Sequence, residues 1–397
     1  MRSPAGEHTL TLHGFVSQRT QYLTSQQDGL DWLAGTHAAA QTTIDASTPA
    51  EELALRDKLR RVMDRCACGP SKISARSHVI SDVRGGGDAF AMYDVSKDPK
   101  GAGMEARMKV FTAVVQTYFD SLYEAETVAP SDLIHVTCTG YVSPSGAQRI
   151  VAKKGWGTQT RVTHAYHMGC YAALSATRLA TGCLSTSAPL ASSAASRRVD
   201  IVHSELCTLH LDPADHSIEQ LVVQSLFADG LIRYSLSENL TNGRADESAG
   251  LDVLALDECI LPESADAMSW QLSDHGMHMT LARDVPERIG RALRDFVIGL
   301  YRKGNLDLAK EFRRSVFAVH PGGPKIIDSV AQILELSQAQ VQTSRDVLFD
   351  HGNMSSATLP HVWMRMLADD TIPSGSLIVS LAFGPGLTMC GGLFQKR

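Results

Sequence analysis

The sequence predicts a layered α/β fold with mostly buried strands. Three observations carry this. Helical stretches and short apolar runs alternate in a βαβ-like order. Runs such as VFAV are apolar throughout, as a strand covered on both faces must be. The later part of the chain repeats the grammar of the earlier part.

The elements follow in order. Residues 21 to 65 read as helix, first through TSQQDGLDWLAGTHAAAQ behind a Ser/Thr cap, then through STPAEELALRDKLRRVMDR with Pro49 in its first turn. On that second helix Leu55, Leu59, Val62 and Met63 recur at helical spacing. Lys58, Arg61 and Arg65 share another stripe, which spacing alone leaves open as a solvated face. GGGDAFA (85–91) reads as a flexible loop and 104–125 as an amphipathic helix. DLIHVTCTG then runs as a strand into a Gly/Pro/Ser turn. CYAALSATRLATG predicts a buried helix closed by Gly182, and RRVDIVHSELCTLHL a β-rich run. VVQSLFADGLIRYSL reads helix, turn, strand. Polar loops with a short strand at Leu251 to Leu256 mark a junction, dividing the chain into 1–245 and 246–397. DVPERIGRALRDFVIGLYRK is helix, RRSVFAVHPGGPKII strand–turn–helix, SQAQVQTSRDVLFDHGN helix and turn, and SGSLIVSLAFGPGLTMCGGLF a closing pair of strands.

The 397 residues suffice for a sizeable core in two or three domains, or in one duplicated one. Thirty-seven basic against 43 acidic side chains give a net charge of −6, with no Lys/Arg-rich run, so nucleic acid is not an expected partner. No stretch of 18 apolar residues predicts a membrane span, and the first residues carry no secretory h-region. Eight scattered cysteines suit a reducing compartment, and a cytoplasmic enzyme is the expectation.

Candidate chemistry gathers at three places. In HMGCYAALSATRLA, Cys170 stands at a strand-to-helix junction, where backbone N–H groups and the helix dipole favour a thiolate. Buried cysteine is also a common core residue. In VFAVHPGGPK, His320 ends an apolar strand before a rigid turn, placed to partner a nucleophile or simply to pack. In DHGNMSSA, Asn353 serves as a cap or as an amide donor to an oxyanion. Phosphate loops of the GxxxxGK[ST] and GxGxxG kinds are missing, as are HExxH and GxSxG. Cys66-x-Cys68 and His275-Gly-Met-His278 lack partner pairs, so no metal is expected.

MGCYAALSATRLA, HPGGPKIID, GNMSSA and AFGPGLT, in this order, resemble the chalcone-synthase-like family, the type III polyketide synthases. The resemblance runs from about residue 50 to the end, with VTCTG and SELCTLHL closer to its bacterial branch. It implies a thiolase fold, two pseudo-twofold-related α/β halves in αβαβα layers, and a homodimer. It also implies that Cys170 carries the acyl chain while His320 and Asn353 assist. His320 is then an imidazolium paired with a thiolate. Phe227 matches a gate phenylalanine and Met279 replaces a second one; Thr139, Cys207, Ser355 and Phe383 join them around the substrate cavity. Lys58, Arg61 and Arg65 match positions that meet the phosphates of coenzyme A or a phosphopantetheine arm. The expected reaction needs no cofactor beyond its thioester substrates. It condenses an aliphatic acyl-CoA with malonyl-CoA and closes an α-pyrone. The alternative joins two β-ketoacyl chains delivered on acyl carrier protein, without decarboxylation. A non-catalytic acyl-binding scaffold is the third reading.

Overall fold

The computed structural model describes residues 9–84, 92–185, 197–239 and 249–397. The loop reading at 85–91 and the junction at 245 lie outside the described residues.

The described elements begin with β1 (Thr9–Gln18) and β2 (Tyr22–Ser25), followed by α1 (Gln26–Asp45) and α2 (Pro49–Cys66). Residues 22–25 are therefore strand, not helix. Ser25 accepts from the Asp28 N–H at the start of α1, and Thr48 with Glu51 forms a capping box ahead of α2. Next come β3 (Ala75–His78), which pairs with β2, and α3 (Met104–Leu122). The first part continues through β4 (Asp132–Thr137), α4 (Gly146–Lys153), β5 (Arg161–Tyr166), α5 (Ala172–Ser185), β6 (Arg198–Leu206), α6 (Ile218–Leu226) and β7 (Asp229–Asn239). The second part has β8 (Gly250–Ile260), the hairpin β9 (Met268–Ser273) and β10 (Gly276–Leu281), then α7 (Val285–Lys303) and α8 (Leu308–Glu311). It closes with β11 (Val316–Val319), α9 (Pro324–Leu334), α10 (Gln338–His351), α11 (Thr358–Ala368), β12 (Leu377–Gly384) and β13 (Thr388–Lys396).

Among the described residues, nine strands form one sheet in the order β11-β12-β13-β8-β1-β7-β6-β4-β5. From β4 to β1 the pairings are parallel, antiparallel, antiparallel. From β11 to β8 they repeat that series. The two arms meet where β1 pairs antiparallel with β8, so a pseudo-twofold axis passes between those strands. The repeat expected from the sequence is thus a repeat of topology.

Three hydrophobic clusters separate the layers. One is filled from α7 and α9, another from α1 and α3. The third takes residues of α5 and α11 together with strands from both arms, which makes those two helices the central layer. This is the αβαβα arrangement. Helix α5 runs three residues beyond Gly182, where a Cβ would meet nothing, so Gly182 is no cap. Strand β8 has 11 residues rather than about six, because its acidic positions Asp252, Asp257 and Glu258 break the apolar run without breaking the ladder. Among the described residues no helix is long and apolar enough to cross a membrane.

Candidate active site

Residues 167–171 turn the chain from β5 into α5, with His167 (φ 61°) and Gly169 (φ 85°) in left-handed conformations. A Cβ on Gly169 would lie 2.5 Å from Pro385 Cδ, and one on Gly384 2.5 Å from the Tyr171 ring. The glycines of HMGC and FGPG therefore let this turn interlock with the corner between β12 and β13. Cys170 sits on the turn, two residues ahead of Ala172, the first residue of α5. It is buried, with Sγ 3.9 Å from Ser355 Oγ. Burial pushes its thiol up to about 12; Ser355 and Asn353 side chains pull the other way, and the nearby Glu205 adds to the rise.

His320 follows directly on strand β11. Its backbone N–H donates to Leu381 O at 2.7 Å, which fixes where the ring starts. The imidazole is 2% exposed, and neither ring nitrogen has a hydrogen-bond partner. Burial lowers the His320 pKa to about 3. Burial thus works against both charges of the expected imidazolium–thiolate pair. A buried imidazole with both nitrogens free is costly to maintain and suits a group that bonds a ligand.

Asn353 follows α10 and Gly352. Its Oδ1 accepts from the Ser355 N–H at 2.9 Å, which commits the oxygen and leaves the amide nitrogen to donate. That Nδ2 donates to Gly322 O at 3.3 Å. A Cβ on Gly322 would in turn lie 3.8 Å from His320 Nε2. Asn353 thus links the His320 turn to the surroundings of Cys170.

The backbones of Phe227 and Asn353 form an isolated parallel bridge. Phe227, Cys207, Val223 and Met279 make one small apolar cluster. Cys170, Phe227, Met279, Thr139, Cys207 and Ser355 line a common cavity of about 20 Å³, room for roughly one water molecule. Phe383 is not among the lining residues; it belongs to the hydrophobic cluster of the second arm, at 4% exposure. Thr139 donates its hydroxyl to Glu205 Oε2 at 3.2 Å. Lys58, Arg61 and Arg65 are exposed on α2, outside the cavity. Among the described residues, no group of three or more His, Cys, Asp or Glu side chains could hold a metal ion.

Three residues escaped the sequence reading. Trp270, on β9, lines the cavity and donates from Nε1 to Cys138 O at 2.7 Å. Cys138 also lines it and accepts from the Gly169 N–H. Glu205 is fully buried, accepting from the Cys138 N–H, Thr139 and Ser356, and burial pushes its carboxyl up to about 7. The motif SELC contained that last signal, a carboxylate at the end of an apolar strand.

Residues 253–396 match the family described as chalcone and stilbene synthases, C-terminal domain. The chain is 26% identical over 362 residues to type III polyketide synthase C of Arabidopsis thaliana, covering 87% of each. It is 30% identical over 267 residues to the probable polyketide synthase 1 of Dictyostelium discoideum, spanning 67% of this chain but only 8% of that much longer protein. The crystal structure of PKS-I from the brown alga Ectocarpus siliculosus superposes with a TM-score of 0.81 at 20% identity, over 100% of both chains. The fold is the thiolase fold. The chain is chalcone-synthase-like, a homologue of the type III polyketide synthases.

Proposed function

We propose that the protein is a ketosynthase that condenses acyl thioesters with malonyl units through an acyl chain held on Cys170. One observation carries the reading: a buried thiol at the mouth of α5 shares its surroundings with the Asn353 amide, which is tied to the turn of an unpartnered, buried His320. Resting as a neutral pair, His320 accepts the Cys170 proton as sulfur attacks the acyl thioester carbonyl. The acyl group passes to sulfur and the donor's thiol leaves with a proton. A malonyl thioester then loses carbon dioxide. The His320 N–H and the Asn353 amide donate to its thioester oxygen as the enolate forms. Phe227 presents an apolar face that disfavours the malonyl carboxylate. The enolate carbon attacks the Cys170 thioester, making the new carbon–carbon bond and expelling the Cys170 thiolate, which takes a proton from water to restore the thiol. Met279 and Cys207 in the lining suit aliphatic starters and an α-pyrone product, and two chains form the working dimer.

The test is product mass spectrometry on the purified protein, with Cys170→Ala as control. One tube holds a medium-chain acyl-CoA and malonyl-CoA, the other β-ketoacyl chains on carrier protein. Pyrone and carbon dioxide in the first tube support the reading. Product in the second tube alone replaces it with carrier-bound chain joining, and product that persists in the control removes Cys170 from the chemistry.

A further inference from the structure

Helix α6 ends at Leu226, just before Phe227, without glycine and without a left-handed residue. The last carbonyls of a helix must find donors elsewhere. Here each has a named one. Phe227 N–H donates to Val223 O, and Asn353 N–H to Leu226 O at 2.9 Å. Gln26 Nε2 donates to Ser225 O at 2.9 Å. Arg76 Nη1 donates to the remaining one, Gln224 O, at 2.9 Å and to Phe227 O, just past the helix, at 2.8 Å. Arg76 Nε donates to Gln26 Oε1 at 2.8 Å, so the two side chains form one clasp. Arg76 is 3% exposed on β3, and its Cγ lies 3.1 Å from where a Cβ on Gly352 would stand. It therefore packs against the residue preceding Asn353 while holding the carbonyl of Phe227. A cation at a helix C-terminus is favourable, and only a planar guanidinium reaches these three oxygens from one stem.

We propose that Arg76 is a positioning residue: it locks Phe227 and Asn353 into one unit and so sets the malonyl-decarboxylating side of the site, without touching the reacting atoms. The proposal rests on the reading of the site given above. Cys170, carried on the turn into α5, lies outside the clasp.

Arg76→Lys and Arg76→Gln test it, each checked for folding by thermal melting. Amide hydrogen exchange is read on peptides covering 221–230, 349–357 and 170–180. The first two are expected to lose protection together, tenfold or more in Arg76→Gln and less in Arg76→Lys, while the third stays within twofold. Carbon dioxide release from malonyl-CoA is expected to fall about tenfold or more at saturating substrate, with acyl loading of Cys170 within twofold of wild type. Unchanged exchange in either of the first two peptides overturns the clasp, whatever the activity. Equal loss of loading and decarboxylation also overturns it. A wild-type protein that releases no carbon dioxide would instead sink the functional reading, and exchange would still judge the clasp.

Discussion

Asn353 and Phe227 are paired through their backbones: Asn353 N–H donates to Leu226 O, Ala228 N–H donates to Asn353 O, and both bonds are 2.9 Å. The two residues proposed above as amide donor and apolar gate are therefore tied to one another through main chain. Catalytic geometry of this kind depends on support from main chain, since a donor displaced by about 1 Å loses most of its value.

Removing the donor alone separates two half-reactions. Asn353→Ala keeps the backbone bridge but deletes the Nδ2–H that serves the forming enolate. We expect decarboxylation of malonyl-CoA to fall by roughly 10²–10³, the value of one oxyanion donor. Acyl loading of Cys170, followed by intact-protein mass, should persist. A fall in loading as large as the fall in carbon dioxide release would place Asn353 on the nucleophile instead.

The resting thiol gives a pH signature. With its pKa pushed up to about 12 and that of His320 lowered to about 3, Cys170 is protonated and His320 neutral at pH 7. The thiolate fraction then climbs about tenfold per pH unit, as for any acid well below its pKa. Alkylation of Cys170 by iodoacetamide should follow that slope between pH 7 and 9. A rate flat across this range would mean a preformed ion pair.

The fold was largely legible in the sequence because its helices carry caps and period, as at Thr48–Glu51 and Pro324, and because strands such as β11 and β12 are almost wholly apolar. The hairpin of β9 and β10 was not. Met268–Ser273 and Met277–Leu281 each alternate apolar and polar side chains, which is a strand signal, but runs of six and five residues set between polar loops carry it weakly. Trp270 consequently stayed hidden, although it lines the cavity beside Cys170. The turns that carry Cys170, His320 and Asn353 were legible because glycine punctuates all three motifs. The protonation of the site was not, since it depends on burial that no local pattern states. Phe383 illustrates the opposite error: a motif neighbour that packs into the core, its strand pairing with Met389.

Trp270 gives the third prediction. Its indole closes a cavity of only about 20 Å³ and lies 6.4 Å, centroid to centroid, from the Phe227 ring. Trp270→Ala would open space on the Cys170 side and release the Cys138 carbonyl. We expect longer products by mass spectrometry, by at least one malonyl-derived unit, and a stability loss of about 1–3 kcal/mol measured by urea denaturation. An unchanged product length in a folded variant would show that another wall sets the limit.

The last prediction concerns delivery of the thioester. Lys58, Arg61 and Arg65 are exposed, and Arg60 between them is instead held by Asp31 and Asp64. Helix α2 also packs against α6, whose end carries Phe227, and the Cys68 N–H just beyond α2 donates to Ser225 Oγ at 3.3 Å. A stripe that binds the thioester arm would therefore lie on an element joined to the gate. Exposed charges of this kind contribute little to folding. The triple variant Lys58→Ala, Arg61→Ala, Arg65→Ala should melt within about 0.5 kcal/mol of wild type. Its KM for acyl-CoA should rise roughly tenfold or more with kcat nearly unchanged, since binding common to ground and transition states is what is lost. The wild-type KM should rise with salt, and the variant's much less, because screening acts only on charges that meet phosphate. Equal salt dependence in both proteins would return the stripe to an ordinary solvated face and move the search for the phosphate site elsewhere on the surface.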